Sequence, residues 1–242
     1  MNLWGITDRG SVRKENQDAY QTVFLREGLG LGVVCDGMGG ALAGNVASTL
    51  ALKTFVGDLT AQCAEGLPQE PMDALLHAAE RANEVVYRRS REDSACHGMG
   101  TTLVAALSDG AHVWVLNIGD SRCYQVDGEE IRQVTRDHSL VEDLVARGDI
   151  TPEQARSHPR KNLITRALGV EPSVTPDLYT VEGQPGSFLL LCSDGLSNTV
   201  SDQELLYEVI HGGAPDSCCQ RLLDIALIRG APDNVTAVLF QL

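Results

Sequence analysis

The chain has 242 residues, of which 43% are hydrophobic and 21% charged, values typical of a globular protein. Its formal net charge of −14 argues against a binding surface for nucleic acid or for an anionic membrane, because both repel an acidic protein. No apolar run approaches the roughly 18 residues that a membrane span needs. The first ten residues, MNLWGITDRG, lack the pattern of a secretory signal.

The cysteines indicate the cellular compartment. Seven are scattered along the chain, with Cys218 and Cys219 adjacent and no CxxC pair. An odd number without paired spacing indicates neither a zinc site nor a disulfide framework. Cysteines that stay reduced and pack as small apolar residues are typical of cytosolic proteins. We therefore expect a cytoplasmic protein, and we also expect it to be a monomer.

Apolar runs rich in β-branched residues predict strands along the whole chain. They include, in chain order, LWGIT, LGLGVV, TTLVAAL, HVWVLNI, FLLLC and VTAVLF. The turn signals SDGA after Leu107 and VDGEE after Gln125 predict β-hairpins. Consecutive hairpins build antiparallel sheets, so the pattern excludes a doubly wound parallel fold.

Helical spacing of apolar residues predicts four helices. Two long helices are expected from about Gly44 to Cys63 and from about Met72 to Arg91. A third is expected in SDQELLYEVIHG, where Ser201 and Glu204 fit an N-terminal capping box. A fourth is expected in APDSCCQRLLDIALIRG, which a glycine ends.

The domain organisation follows from these elements. No internal repeat, low-complexity tract or linker interrupts them. A shorter polar stretch, residues 139–169, separates the early elements from the late ones and carries Pro152 and Pro159. We therefore predict one α+β domain over residues 1–242, with antiparallel sheets in the middle and helices outside.

Aspartates recur at the ends of the predicted strands. Asp36, Asp120 and Asp194 follow apolar runs, whereas Asp18 and Asp233 stand at strand starts. A single aspartate at a strand end is most often a turn former. Five carboxylates in one pocket would instead raise one another's pKa, and divalent cations would remove that repulsion. All-oxygen ligands favour hard ions such as Mg²⁺ or Mn²⁺, two of which can activate water and clamp a phosphoryl group. The spacing alone does not bring the five together.

The glycine-rich stretch VVCDGMGGALAGN, residues 33–45, offers an alternative, because such loops often cradle phosphate. A P-loop needs GxxxxGK[ST], and no lysine follows here until Lys53. The dinucleotide pattern GxGxxG does not fit either, and hairpins replace βαβ units. The glycines are better explained as room for a tight turn beside Asp36.

Eight motifs follow one another between residues 13 and 238. They are RKENQDA, VVCDGMGGALAGNVAS, MGTT, NIGDSR, TRDHS, TRALG, LLLCSDGL and DNVTAV. In this order they resemble the protein phosphatase 2C family of metal-dependent Ser/Thr phosphatases, in its compact bacterial form. The resemblance spans essentially the whole chain. It implies a central β-sandwich of two mainly antiparallel sheets flanked by pairs of α-helices, a four-layer α-β-β-α arrangement.

The resemblance also implies a metal centre. Asp36 would bridge two ions, Mn²⁺ or Mg²⁺, and the Gly37 carbonyl would be a further ligand of one of them. Asp194 and Asp233 would bind the other ion. Asp18 would act nearby, largely through metal-bound water.

The implied reaction is hydrolysis of phosphoserine or phosphothreonine in proteins. A hydroxide bridging the two ions would attack the phosphorus directly, without a phosphoenzyme. Arg13 would grip the substrate phosphate, because a planar guanidinium fits two phosphate oxygens. Asp120 with Asp194 would support a third ion, as in bacterial relatives. A cognate Ser/Thr kinase would be the opposing partner.

One departure from the family leaves the general acid open. Many relatives carry a histidine shortly after the DG pair, where this chain has Met38 and Ala41. A metal-bound water or His138 could serve instead, and a loop histidine held by hydrogen bonds is the plainer interpretation of His138.

Two further expectations come from the resemblance. Residues 139–165 correspond to the family's flap, a mobile segment beside the site that shapes substrate choice. The alternative function is a pseudophosphatase, a catalytically weak module that binds phosphoproteins. Retention of Asp36, Gly37, Asp194 and Asp233 argues against it.

Overall fold

The computed structural model describes residues 1–40 and 43–242. Its strands are β1 Asn2–Asp8, β2 Asp18–Arg26, β3 Leu29–Met38, β4 Gly100–Thr101, β5 Leu103–Ser108, β6 His112–Ile118, β7 Arg122–Asp127, β8 Glu130–Gln133, β9 Asp177–Glu182, β10 Phe188–Cys192 and β11 Val235–Gln241. Its α-helices are α1 Ala43–Gln62, α2 Pro71–Glu92, α3 Leu140–Ala146, α4 Pro152–Arg156, α5 Asp194–Ser197, α6 Asp202–Ile210 and α7 Cys218–Ile228.

The strands form two antiparallel sheets. One sheet has the strand order β1-β11-β10-β7-β8, and the other has the order β2-β3-β5-β6-β9, with the short β4 pairing with β3. Both predicted hairpins are confirmed: SDGA connects β5 to β6, and VDGEE connects β7 to β8. Tight turns of this kind permit only antiparallel neighbours, which is why the prediction from turn chemistry holds.

Three apolar cores hold four layers together. Strand β3 directs Leu31 toward α1 and α2 and directs Val34 toward the opposite sheet. Strand β10 directs Leu190 toward α6 and α7 and directs Leu189 into the core between the sheets. Successive side chains of a strand point to opposite faces, so a strand buried on both faces reads as a continuous apolar run. The predicted α-β-β-α sandwich is confirmed.

The helices also agree with the sequence. Both long helices, α1 and α2, begin and end within one residue of the predicted bounds. Helix α6 starts at the capping box formed by Ser201 and Glu204. Gly230, with φ at 93°, follows the end of α7. No helix within residues 1–40 and 43–242 is long and apolar enough to cross a membrane.

One local prediction differs from the structure. Asp36 does not end its strand but lies inside β3, which continues to Met38. The strand persists because it keeps partners on both sides: Asp36 pairs with Asp18 of β2, and Gly37 and Met38 pair with β4. Ala41, the position of the missing family histidine, lies outside the described residues.

Candidate metal centre

The strand pairings bring the five aspartates to one end of the sandwich. Asp18 and Asp36 face each other in the register of β2 and β3. Asp194 follows β10 and Asp233 precedes β11, and these two strands pair antiparallel, so both residues lie at the same end of their sheet. Asp120 lies two residues beyond the end of β6. Asp36 experiences charge repulsion from all four others.

Asp18 is the most buried of the five, with 7% of its surface exposed. Its Oδ2 accepts hydrogen bonds from Ser193 Oγ at 2.7 Å and from Thr236 Oγ1 at 2.6 Å. Its Oδ1 is buried and has no hydrogen-bond partner. Burial raises the pKa of Asp18 to about 7 in spite of the two hydroxyl donors.

Asp36 and Gly37 are held through their backbone. The Asp36 amide donates to Thr102 Oγ1 at 2.9 Å, and the Thr102 amide donates to the Asp36 carbonyl at 2.8 Å. A Cβ at Gly37 would lie 2.1 Å from the Gly44 carbonyl oxygen and 2.7 Å from the Gln17 carbonyl oxygen, so only glycine fits. Burial, followed by the charge of Asp18, raises the pKa of Asp36 well above its ordinary value.

Asp194 and Asp120 complete the buried negative charge. Asp194 accepts a hydrogen bond from Asn198 Nδ2 through Oδ2, whereas its Oδ1 is buried without a partner. Burial raises the pKa of Asp194 to about 6, and the charge of Asp233 adds to the shift. Burial raises the pKa of Asp120 to about 8, and the charge of Asp194 is the next cause.

Asp233 is the acidic residue that pairs with Arg13. Arg13 Nη2 lies 2.7 Å from Asp233 Oδ2, and the side chain of Arg13 is 52% exposed. Hydrogen bonding to Asp233 raises the pKa of Arg13. The guanidinium therefore stands at the solvent side of the cluster, where an incoming anion would meet it.

The donor set fits hard divalent cations. In the described part of the chain, three buried side-chain atoms lack a hydrogen-bond partner, and two of them are carboxylate oxygens of this cluster. Buried carboxylates that repel one another need a positive counter-charge, and oxygen-only ligands suit Mg²⁺ or Mn²⁺. Over residues 1–40 and 43–242, no three acidic, histidine or cysteine side chains converge tightly enough to enclose an ion by themselves.

His138 does not face this cluster. It is 6% exposed, its Nδ1 lies 3.0 Å from the Gly119 amide nitrogen, and its Nε2 lies 3.2 Å from Asp177 Oδ2. With both ring nitrogens engaged, His138 has no free nitrogen for a leaving group, which is the plainer of the two sequence interpretations.

A cavity of about 820 Å³ opens from Asp120 and Asp194. Its other walls include residues of the segment 139–162, among them Arg156 and Lys161, and the start of α6 with Asp202. The cluster is therefore reachable by a ligand much larger than water.

The residues that orient the carboxylates were not predicted from the sequence. Asn234 joins three segments, because its Oδ1 accepts from the Gln17 amide and its Nδ2 donates to the carbonyls of Arg9 and Glu15. Ser193, Thr102 and Thr236 also hold the aspartates of the cluster, and the sequence did not predict these contacts. Their place inside the motifs LLLCSDGL, MGTT and DNVTAV was the available signal.

Comparisons with known proteins identify the family. A family model described as Protein phosphatase 2C matches residues 9–217. The Serine/threonine phosphatase stp of Listeria monocytogenes serotype 4b is 36% identical over 236 residues, covering 97% of this chain and 93% of that protein.

Solved structures give the same result. Serine/threonine phosphatase Stp1 from Staphylococcus aureus matches with a TM-score of 0.91 and 36% identity, over 99% of this chain and 94% of that one. The catalytic domain of PstP, solved in complex with two manganese ions, matches with a TM-score of 0.85 and 35% identity, over 98% and 96%. The chain therefore belongs to the protein phosphatase 2C family and is a protein phosphatase.

Proposed function

We propose that the chain is a metal-dependent protein phosphatase that hydrolyses phosphoserine and phosphothreonine. The observation that carries the proposal is the pair of unpartnered buried oxygens, Asp18 Oδ1 and Asp194 Oδ1, inside a cluster of mutually repelling aspartates. The PstP relative that binds two manganese ions supports the same interpretation.

The ligands proposed for two core ions are Asp36, the Gly37 carbonyl, Asp194 and Asp233, with Asp18 behind them. When bound, such ions supply Lewis acidity and a water nucleophile for direct hydrolysis without a phosphoenzyme. Mg²⁺ takes only one or two carboxylates and keeps several waters, so coordination does not require three converging side chains. Either Mn²⁺ or Mg²⁺ meets these requirements.

A third ion is proposed near Asp120 and Asp194. The charge of Asp194 contributes to the raised pKa of Asp120, which supports an ion shared by the two carboxylates. Both residues line the cavity, so an ion held by them would border it.

The chain's own residues bind and orient the substrate. Arg13 is half exposed and presents a planar set of donors beside Asp233, so it is proposed to hold two phosphate oxygens. A net charge of −14 repels a negatively charged phosphorylated substrate. Arg13 and the bound cations would supply the local positive field that overcomes this repulsion.

Residues 139–165 are proposed to form the flap within a single domain. The segment is closed at its base, because Ser139 bridges to Ile164 and the Leu140 amide donates to the Leu163 carbonyl. Its two short helices, α3 and α4, are capped by Ser139 and Thr151. This segment, joined at its two ends, lines the cavity, which supports a role in substrate contact.

Cellular context is also part of the proposal. We infer a cytoplasmic monomer that reverses the work of a partner Ser/Thr kinase. The seven cysteines are all free and buried, which suits a reducing compartment. No observation favours the pseudophosphatase alternative, since all the proposed ligands are present and the similar proteins are named phosphatases.

The test is hydrolysis of three phosphopeptides that differ only in carrying phosphoserine, phosphothreonine or phosphotyrosine. With Mn²⁺, the first two should release phosphate and the third should not; with a chelator, none should. Asp36→Asn is the matched control for contaminating phosphatases. Release from folded, metal-free protein at the rate seen with Mn²⁺ would refute the proposal.

A further inference from the structure

His138 lies between the turn that carries Asp120 and the base of the flap. Its amide donates to the Gly119 carbonyl at 2.9 Å. Its own carbonyl accepts from the Thr165 amide at 2.8 Å. The backbone of this buried residue therefore joins the loop after β6 to the last residue of the flap.

The ring of His138 has one defined protonation state. Nδ1 lies 3.0 Å from the Gly119 amide nitrogen, which is a donor, so Nδ1 has to accept. The proton of the neutral ring is then on Nε2, which donates to Asp177 Oδ2 at 3.2 Å. A charged ring would set two N–H groups against each other at Gly119. Burial lowers the pKa of His138, which agrees with the neutral form.

A second side chain fixes the far end of this hydrogen bond. Arg166 Nη1 donates to Asp177 Oδ1 at 2.7 Å and to the Thr175 carbonyl at 2.8 Å. The same nitrogen lies 3.0 Å from His138 Nε2. A guanidinium only donates and Nε2 carries the ring proton, so these two nitrogens do not hydrogen-bond to each other. The hydrogen bonds of Arg166 Nη1 are those to Asp177 and Thr175. The ring is thereby held in one orientation.

The Gly119 turn depends on the hydrogen bond from its amide to His138 Nδ1. Gly119 has φ at 105°, and a Cβ there would lie 2.5 Å from Thr102 Cγ2. Its carbonyl accepts from Asn117 Nδ2 as well as from the His138 amide. The ring nitrogen of His138 supplies the acceptor for the Gly119 amide, so both backbone polar groups of the residue immediately before Asp120 have partners.

We propose that His138 is a positioning residue, whose Nδ1 holds the Gly119 turn so that Asp120 faces Asp194, and which ties this carboxylate to the base of the flap. It contacts no reacting atom and acts only through Asp120. The inference rests on the proposed function, in which Asp120 and Asp194 hold an additional ion.

The test compares two amide side chains at position 138. His138→Asn places an acceptor close to the position of Nδ1, whereas His138→Gln carries the same amide one carbon farther out. We expect Asn to keep kcat/KM and the Mn²⁺ concentration for half-maximal activity within about threefold of the wild type. We expect Gln to lower kcat/KM and raise that Mn²⁺ concentration by about 10- to 100-fold, less than the loss from Asp36→Asn. Equal behaviour of two folded variants would overturn the inference.

A double variant separates this role from general structural support. If His138 acts through Asp120, adding His138→Gln to Asp120→Asn should change Mn²⁺ binding, measured by calorimetry, and kcat/KM by less than about twofold. If the double variant instead loses kcat/KM and Mn²⁺ affinity by the product of the two single losses, the positioning role is overturned and the proposed function stays intact. An Asp120→Asn protein with wild-type Mn²⁺ binding and activity would overturn the positioning role and the proposed third ion, whereas the phosphopeptide assay tests the hydrolysis itself.

Discussion

Replacing Asp18 with asparagine should stabilise the metal-free protein at neutral pH. The side chain keeps its size, and an amide oxygen can still accept from Ser193 and Thr236 at the position of Oδ2. The variant removes a charge that is buried and repelled by Asp194 and Asp233. Loss of that charge favours the folded state whenever no cation compensates it.

The magnitude and the pH window follow from the pKa of Asp18. Folding raises it from an ordinary value of 3.8 to about 7, so the folded state binds the proton more tightly than the unfolded chain. The wild type therefore loses stability as pH rises between these values, by about 1.4 kcal/mol per pH unit, or about 4 kcal/mol above pH 7. The advantage of Asp18→Asn should grow by about 3 kcal/mol between pH 5 and pH 8.

The assay is urea unfolding of chelator-treated protein at pH 5, 6, 7 and 8, followed by circular dichroism. Asp216→Asn, at an exposed position, controls for the overall change in net charge. Saturating Mn²⁺ should abolish or reverse the advantage, because a bound cation stabilises the ionised aspartate. An advantage that is the same at pH 5 and pH 8, or a destabilised variant at pH 8, would refute the reasoning.

Three further predictions concern the neighbouring positions. Asp36→Asn should lower Mn²⁺-dependent turnover at least ~100-fold and raise the Tm of the metal-free protein; a lowered Tm would contradict the repulsion argument. Arg13→Ala should raise KM for p-nitrophenyl phosphate about tenfold with a smaller effect on kcat, and Arg13→Lys should recover only part; an unchanged KM would exclude phosphate binding by Arg13. Gly37→Ala should lower the free energy of unfolding by about 2–3 kcal/mol, because its Cβ would meet the Gly44 carbonyl. The control Gly57→Ala, in open space on α1, should raise it by about 0.5–1 kcal/mol, both by urea titration.

The elements that the sequence predicts well are those with a local cause. The turns SDGA and VDGEE and the capping box of Ser201 and Glu204 each act within a few residues, and each is present. For β2 the sequence predicted only a start at Asp18, and β9 was not predicted. They are the two edges of their sheet and are only partly buried, so their apolar residues do not form a continuous run.

The assembly of the site could not be derived from spacing. Asp18 is 175 residues from Ser193 and 218 residues from Thr236, and only the pairing of distant strands makes these side chains neighbours. The order of the motifs, compared with a known family, provided that information instead. The same limit explains Asp36: its position inside β3 depends on pairing with Asp18 on one side and with β4 on the other.

Asp18, Asp36 and Asp120 are each fixed by a neutral partner that does not cancel the charge, whereas Asp233 pairs with Arg13. Hydroxyl groups hold Asp18, a threonine holds the backbone of Asp36, and a neutral histidine holds the turn before Asp120. Such partners set positions while leaving the electrostatic repulsion in place, and three apolar cores supply the stability that offsets it. Substitutions that neutralise the carboxylates remove the charge that draws cations to the site. They should therefore stabilise the metal-free fold and lower activity at the same time.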